Sequence, residues 1–504
     1  IFSMYGPQPK RATLTLPIPT KTEPDTLDLY TWAGGAWKWT LCDVLVADRR
    51  IEAALTSIPD MALLAQSRPL EPSVAAYLAP DCASTREEAA HFSQLNPEGA
   101  FVQSDGTVGG TWQMDASEVP ADCLIMPTLR NVSEGVIRSD WVNEILADEA
   151  MLERHIGAIL SWVEDAKCAG VNIAYSRIDP VHRDDFTRFV ERLAAKMHSV
   201  SKQLSVQVDL PVQISEDQWD GEAYDWARLG QAADILRVPA MPDPAAYAPG
   251  GKMEELLRWA TRQVDRRKVQ LQVSMRSREF VGGEMLEKSY AKILAEVGQL
   301  ALEGKPTLVE AGASLTLQLS KLLQSAGLRF DDASQSHWFS YRDERGVEHT
   351  VWLENASSIT RKLQLVSQFN LQGIAIQHLL GEQSDSQVWQ VIEQFQQASL
   401  APVKSALSVI YTLKNAAGES LAEAVKPLSD PKHVMTVPKE PGKYVVIAAI
   451  AAEGSRATPV SGGSVAIEVP SPTATYTPTH TPTNTPTPTS TPTSTPTNTP
   501  TPTD

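Results

Sequence analysis

The stretch Cys168-Ala169-Gly170-Val171-Asn172-Ile173-Ala174-Tyr175-Ser176 constrains the fold of this chain more than any other. A helix with Leu152, Ile156, Ile159, Leu160 and Val163 on one face leads into it, with Lys167 near its end and Gly170 just past it. Val171 to Tyr175 reads as a short apolar strand. Asp179-Pro180 then caps a second helix, with Phe186, Phe189, Val190, Leu193 and Met197 at helical spacing. Helices and strands in alternation predict a parallel α/β architecture.

Three regions resemble glycoside hydrolase family 18, the chitinase-like family, and especially its bacterial branch of cell-wall and spore-cortex glucosaminidases. Leu124-Ile125-Met126-Pro127-Thr128-Leu129-Arg130-Asn131 is similar to the family's third barrel strand, and the stretch above is similar to the fourth. His349-Thr350-Val351-Trp352-Leu353-Glu354-Asn355-Ala356-Ser357-Ser358 with Lys362, followed by Gly373-Ile374-Ala375-Ile376, is similar to the end of the barrel. The resemblance implies a (β/α)8 TIM barrel over residues 61–400, with an α+β insertion at about 281–350. Its strands are expected from Met61 to Ala65, Ala76 to Leu78, Leu124 to Leu129, Val171 to Tyr175, Leu204 to Leu210, Ile235 to Pro239, Val269 to Met275 and Gly373 to Ile376. Within the insertion, residues 288–302 are expected to be helical, and 337–341 and 351–353 to be strands around the Asp343-Glu344-Arg345-Gly346 turn.

In that family the fourth strand reads D-x-x-D-x-D-x-E: the glutamate protonates the glycosidic oxygen, and the aspartate before it orients the substrate's acetamido group. The four acidic positions fall here on Ala169, Asn172, Ala174 and Ser176, none of them acidic. A serine hydroxyl is far too weak an acid to replace the donor, and an alanine orients nothing. The tyrosine the resemblance implies near the end of the sixth strand is Met241, and the aromatic residue implied after the last strand is Gln377. The scaffold is expected without its mechanism.

A net charge of −17 argues against a nucleic-acid partner, which would need clustered Lys and Arg. No apolar run of about 18 residues occurs, so no transmembrane segment is expected. Neither the four cysteines nor the nine histidines show metal-ligand spacing, and no cofactor or metal is expected. Cys82 and Cys123 are candidates for a pair in an oxidising compartment, and Cys168 reads as a core thiol.

Residues 1–60 read as a small β module, with a hairpin at Gly34-Gly35 bringing Trp32, Trp37 and Trp39 together, as cross-strand packing or as a sugar-stacking platform. Period-two alternation in 401–468 predicts an immunoglobulin- or fibronectin-like β-sandwich, and 469–504 a Thr/Pro-rich, extended, disordered linker or stalk. An extracellular or cell-surface location on a bacterial envelope is expected, with a signal, anchor or further domains outside these residues.

Function in this fold sits at the C-terminal ends of the strands. The ligand-binding candidates there are Arg130, Asn131, Tyr175, Arg177, Asp209, Met241, Asp243, Arg276 and His378, and Asp209 is the fallback acid. Tyr175 is expected to point to the mouth. Three readings stay open. The chain is a non-catalytic binder of an N-acetylglucosamine-containing or peptidoglycan-type glycan, an active glycosidase with a relocated acid, or a structural spacer.

Overall fold

The structure, a computed structural model, describes residues 7–472 except 69, 70, 81, 83, 84, 113–118, 216, 217, 305, 306, 321–326, 382, 383, 404, 405 and 453–458. The Thr/Pro-rich segment beyond Pro472 lies outside the described residues.

At its centre is a curled, mostly parallel sheet of the TIM-barrel kind. Its barrel strands are β1 (Ser73–Leu78), β2 (Gln94–Pro97), β3 in two pieces (Leu124–Ile125 and Thr128–Arg130), β4 (Gly170–Ala174), β5 (Gln203–Gln207), β6 (Ile235–Pro239), β7 (Val269–Ser274) and β8 (Gly373–Gln377), and the hairpin of Ala100–Val102 and Val108–Gly110 adds two more strands beside the second piece of β3. Neighbour follows neighbour from the second piece of β3 through β4, β5, β6, β7, β8, β1 and β2 to the first piece of β3. The sheet thus curls until residues 124–130 hydrogen-bond to β2 on one side and to β4 on the other. Around it lie α1 (Ser139–Ala147), α2 (Glu149–Asp165), α3 (Arg183–Ser199), α4 (Trp226–Ala232), α5 (Lys252–Gln263), α6 (Ala356–Gln368) and α7 (Gln387–Gln396). None of the described helices is long and apolar enough to cross a membrane.

Alternation sets the two faces of each strand. On β4, Val171 and Ile173 pack outward against Ile156, Ile159, Phe186 and Phe189 in the main core, whereas Asn172 and Ala174 turn inward. Gly170 is required by close approach: a Cβ there would lie 2.1 Å from the Gln203 carbonyl oxygen.

The early barrel differs from the sequence expectation. Ala62–Gln66 pairs antiparallel with Leu27–Ala33 in the N-terminal module and is no barrel strand, so the segment around Ala76 is the first strand of the barrel. The second, Gln94–Pro97, went unrecognised. Its inward residues, Gln94 and Asn96, are buried polar side chains that bond to each other, and this breaks the apolar signature of a buried strand.

The N-terminal module holds two three-stranded antiparallel sheets. The Gly34-Gly35 turn places Trp32 opposite Trp37 with ring centroids 5.4 Å apart, edge to face. The module is fastened to the barrel by a buried ion pair, Arg266 Nε to Asp28 at 3.0 Å, and by the forked pair of Arg258 with Asp25 at 2.9 and 3.1 Å.

Between β7 and β8 the insertion forms a five-stranded antiparallel sheet that includes Ser336–Arg342 paired with Glu348–Trp352. The region 288–302 is only partly helical, as Tyr290–Val297, before Leu300–Leu302 pairs with Ser314–Leu319. Residues 407–469 form a four-stranded antiparallel sheet. Its apolar face, with Val409, Tyr411, Val446 and Ile450, shares one core with Ile293, Leu294, Leu315 and Leu317, and His433–Thr436 pairs with Ser314–Leu319. The layer opposite this sheet is therefore supplied by the insertion.

Cys42, Cys123 and Cys168 are buried free thiols, so Cys82 and Cys123 are not paired. Burial raises all three thiols to about 11, which keeps them protonated and inert.

Candidate functional site

The fourth-strand positions serve the fold. The Ala169 N–H donates to the Ile125 carbonyl at 2.9 Å, which stitches the start of β4 to β3. Asn172 is fully buried inside the barrel, donating to Thr128 Oγ1 at 3.3 Å and accepting from Ser205 Oγ at 2.9 Å. Ala174, opposite Arg130 in register, adds no polar group. Ser176 is clamped by the Asn131 amide, which accepts from the Ser176 N–H and donates to its carbonyl, both at 2.9 Å. Asn131 is 1% exposed and spends its amide on this clamp.

Tyr175 does not point to the mouth. Strand alternation carries it outward with Val171 and Ile173, into the helical layer, where it stacks on Phe189 and His155. His155 Nδ1 lies 2.7 Å from the Gly106 carbonyl, which only accepts, so Nδ1 carries the proton and Nε2 accepts the Tyr175 hydroxyl at 2.7 Å. Burial lowers the imidazole to about 4 and raises the phenol well above its usual range.

Asp209 is a loop tie. One of its oxygens accepts the Arg177 N–H at 2.8 Å and the Tyr224 hydroxyl at 3.1 Å, and this holds Arg177 at φ 56°. The Arg177 side chain is exposed. Asp243 caps the short 3-10 helix Pro244–Tyr247 through the Ala245 N–H, and the Met241 carbonyl accepts the Tyr247 hydroxyl at 2.8 Å. These four residues build turns.

Arg276 and His378 do meet. With Tyr77, Glu98 and Gln377 they line a cavity of about 380 Å³ at the C-terminal ends of β1, β2, β7 and β8, on the strand neighbours opposite β4. Ser274 Oγ joins the two, 3.0 Å from His378 Nδ1 and accepting the Arg276 N–H at 3.2 Å. Arg130 is ion-paired with Glu98. Burial raises the Glu98 carboxyl above its usual range, and the Arg130 charge opposes that rise.

Sequence reasoning missed two residues here. Glu98 closes the unrecognised strand β2. Arg237 interrupts the apolar run Ile235-Leu236-Arg237-Val238-Pro239, and that interruption was the available signal. Its side chain is fully buried inside the barrel beneath Tyr77, donating to the Tyr77 hydroxyl and to Asn96 Oδ1, each at 2.8 Å. Its Nε has no hydrogen-bond partner, and no ion pair to it is found among the described residues. Tyr77 passes the network on to Gln272 Oε1 at 3.0 Å.

Chemically, the described lining offers one carboxylate, Glu98, and the polar side chains of Arg276 and His378, with Tyr77 giving its hydroxyl proton to Gln272. Acid–base glycoside hydrolysis needs two carboxylates across the bond, or one together with an oriented acetamido group. The arrangement is equipped to hold a polar ligand. No cluster of three or more metal-ligating side chains occurs among the described residues.

No family model matches the chain. It is similar to the cortical fragment-lytic enzymes of Bacillus anthracis, 22% identical over 258 residues, and of Bacillus cereus, 23% identical over 259 residues; each match covers 50% of this chain and 55% of the relative. The chain thus spans about half the length of these curated relatives. Among solved structures, a chitinase from Chromobacterium violaceum superposes with a TM-score of 0.50 at 20% identity, covering 64% of this chain and 98% of that one. The chain resembles the chitinase-like glycosidases of glycoside hydrolase family 18, and the shared part is the barrel fold.

Proposed function

We propose that the chain is a glycan-binding protein on a family-18-like barrel, without that family's hydrolytic activity. The observation that carries this reading is the fate of the fourth strand: Asn172 is spent inside the barrel, Ala174 is apolar, and Ser176 is held by Asn131. The ligand, an N-acetylglucosamine-containing or peptidoglycan-type glycan, enters the cavity beside Arg276, His378 and Glu98. The location is the outside of a cell envelope.

A second reading is favoured by one observation: Glu98 is a partly buried carboxyl, raised above its usual range, on a cavity wall. That is the direction in which a general acid is tuned. Two measurements separate the readings, calorimetric titration with N-acetylglucosamine hexamer and an assay for released reducing ends on the same oligomer and on peptidoglycan glycan strands. Binding without release, weakened about tenfold or more by Arg276→Ala, is the expected result. Steady release abolished by Glu98→Gln would establish the relocated acid, and no binding at all would leave the structural-spacer reading.

A further inference from the structure

We propose that the cleft between the N-terminal β module and the strand-entry end of the barrel is a second binding site, for a neutral oligosaccharide of hexopyranose units. It is separate from the mouth and lies at the opposite end of the barrel strands. Its volume is about 730 Å³, within the roughly 300–1,000 Å³ of preformed small-molecule sites. Thr31, Trp39 and Ser57 wall it from the module, and Gln231, Asp265 and Lys268 from the barrel.

The walls are fixed relative to each other. Arg266, 2% exposed, binds Asp28, 1% exposed, and also donates to the carbonyls of Asp25 at 2.8 Å and Phe369 at 2.7 Å. Arg258 adds its fork on Asp25. A cleft already ordered in the free protein costs a ligand little conformational entropy.

The lining matches the two needs of a sugar. The Trp39 indole N–H is tied to Asp28 Oδ1 at 3.3 Å, so its ring is held in place as an apolar surface for the C–H face of a pyranose. Asp265 supplies the acceptor. Its Oδ1 takes the Arg267 N–H at 3.0 Å, no ion pair to it is found among the described residues, and the remaining lone pairs suit a vicinal diol. Burial holds this carboxyl above its usual range.

Charge points to a neutral ligand. Lys268 spends its ammonium on the carbonyls of Gly230, Gln231 and Ala233, at 2.9, 3.3 and 2.8 Å, so its charge offsets Asp265 while its donors are used. An acidic sugar would face that carboxylate. A cationic one would face Lys268 and Lys38.

The test is calorimetric titration of the full chain with chitotetraose, cellotetraose and maltotetraose. Asp265→Asn is the decisive variant because an amide oxygen still accepts the Arg267 N–H and preserves the turn. Ser57→Arg, placed to fill the cleft from an exposed position, is the second, and Arg276→Ala is the mouth control. At least one tetrasaccharide is expected to bind, about tenfold or more weakly in both cleft variants, with this component unchanged by Arg276→Ala. No binding of any of the three at millimolar concentration, or binding that responds only to Arg276→Ala, overturns the proposal.

Discussion

Two arginines are buried to the same degree in this molecule, and they are held in opposite ways. Arg266, at the seam between the N-terminal module and the barrel, has a carboxylate at 3.0 Å and two backbone carbonyls. Its partner Asp28 accepts from Ser67 and Trp39 as well. Arg237, inside the barrel, has a phenol oxygen, an amide oxygen and an unsatisfied Nε. The seam completes its ion pair because each charge taken out of water must be matched by the other. Among the described residues, the barrel interior holds this cation on neutral dipoles alone. It does so where Arg237, on β6, reaches across the barrel to Tyr77 on β1 and Asn96 on β2.

The comparison breaks most visibly at the seam. Replacing Arg266 by Met leaves Asp28 buried with only neutral donors, and replacing Asp28 by Ala strands the guanidinium; each should cost about 3–5 kcal/mol. Chemical denaturation of the two variants is the measurement, with proteolysis between the module and the barrel as a companion readout. A loss below about 1 kcal/mol would mean that the seam is held by its apolar contacts, and the contrast with Arg237 would fail.

A third buried ionisable group, His155, escapes the problem by giving up its charge, and this makes it readable by pH. Its folded value is about 4, against 6.5 for the exposed group. Between those values the unfolded chain binds a proton that the folded chain refuses. Stability is therefore complete above about pH 6.5 and falls as pH drops toward 4, by about 3 kcal/mol in all. His155→Gln, which retains a donor and an acceptor, should flatten that part of the stability–pH curve. A curve of unchanged slope in the variant would assign the loss to other groups.

These three residues also mark how far the sequence could be read. Periodicity located β4 and the helices beside it because Val171, Ile173, Leu152, Ile156 and Phe189 obey alternation and helical spacing. It failed at β2 because Gln94 and Asn96 fill the barrel with hydrogen bonds rather than methyl groups, and it misassigned residues 61–65 because a module strand and a barrel strand look alike over five residues. The candidate site was legible only in part. Arg276 and His378 followed from the rule that strand ends carry function. Tyr175 was misplaced because its outward direction depends on β4 register, and Glu98 was lost with its strand.

The smallest effect is the most discriminating. Arg237→Met removes a guanidinium whose two acceptors keep other partners: the Tyr77 hydroxyl still donates to Gln272, and Asn96 Oδ1 still accepts from Gln94 Nε2 at 2.8 Å. No donor or acceptor is orphaned, the methionine is apolar and flexible enough to occupy the space, and the cost of burying an uncompensated charge disappears. The net change in unfolding free energy should therefore lie within about 1 kcal/mol of zero, or on the stabilising side. Denaturant titration beside Arg266→Met gives the comparison in one experiment. A loss of about 3 kcal/mol or more would show that Arg237 is held by a matched charge after all, and the two arginines would then be the same device placed at two depths of the fold.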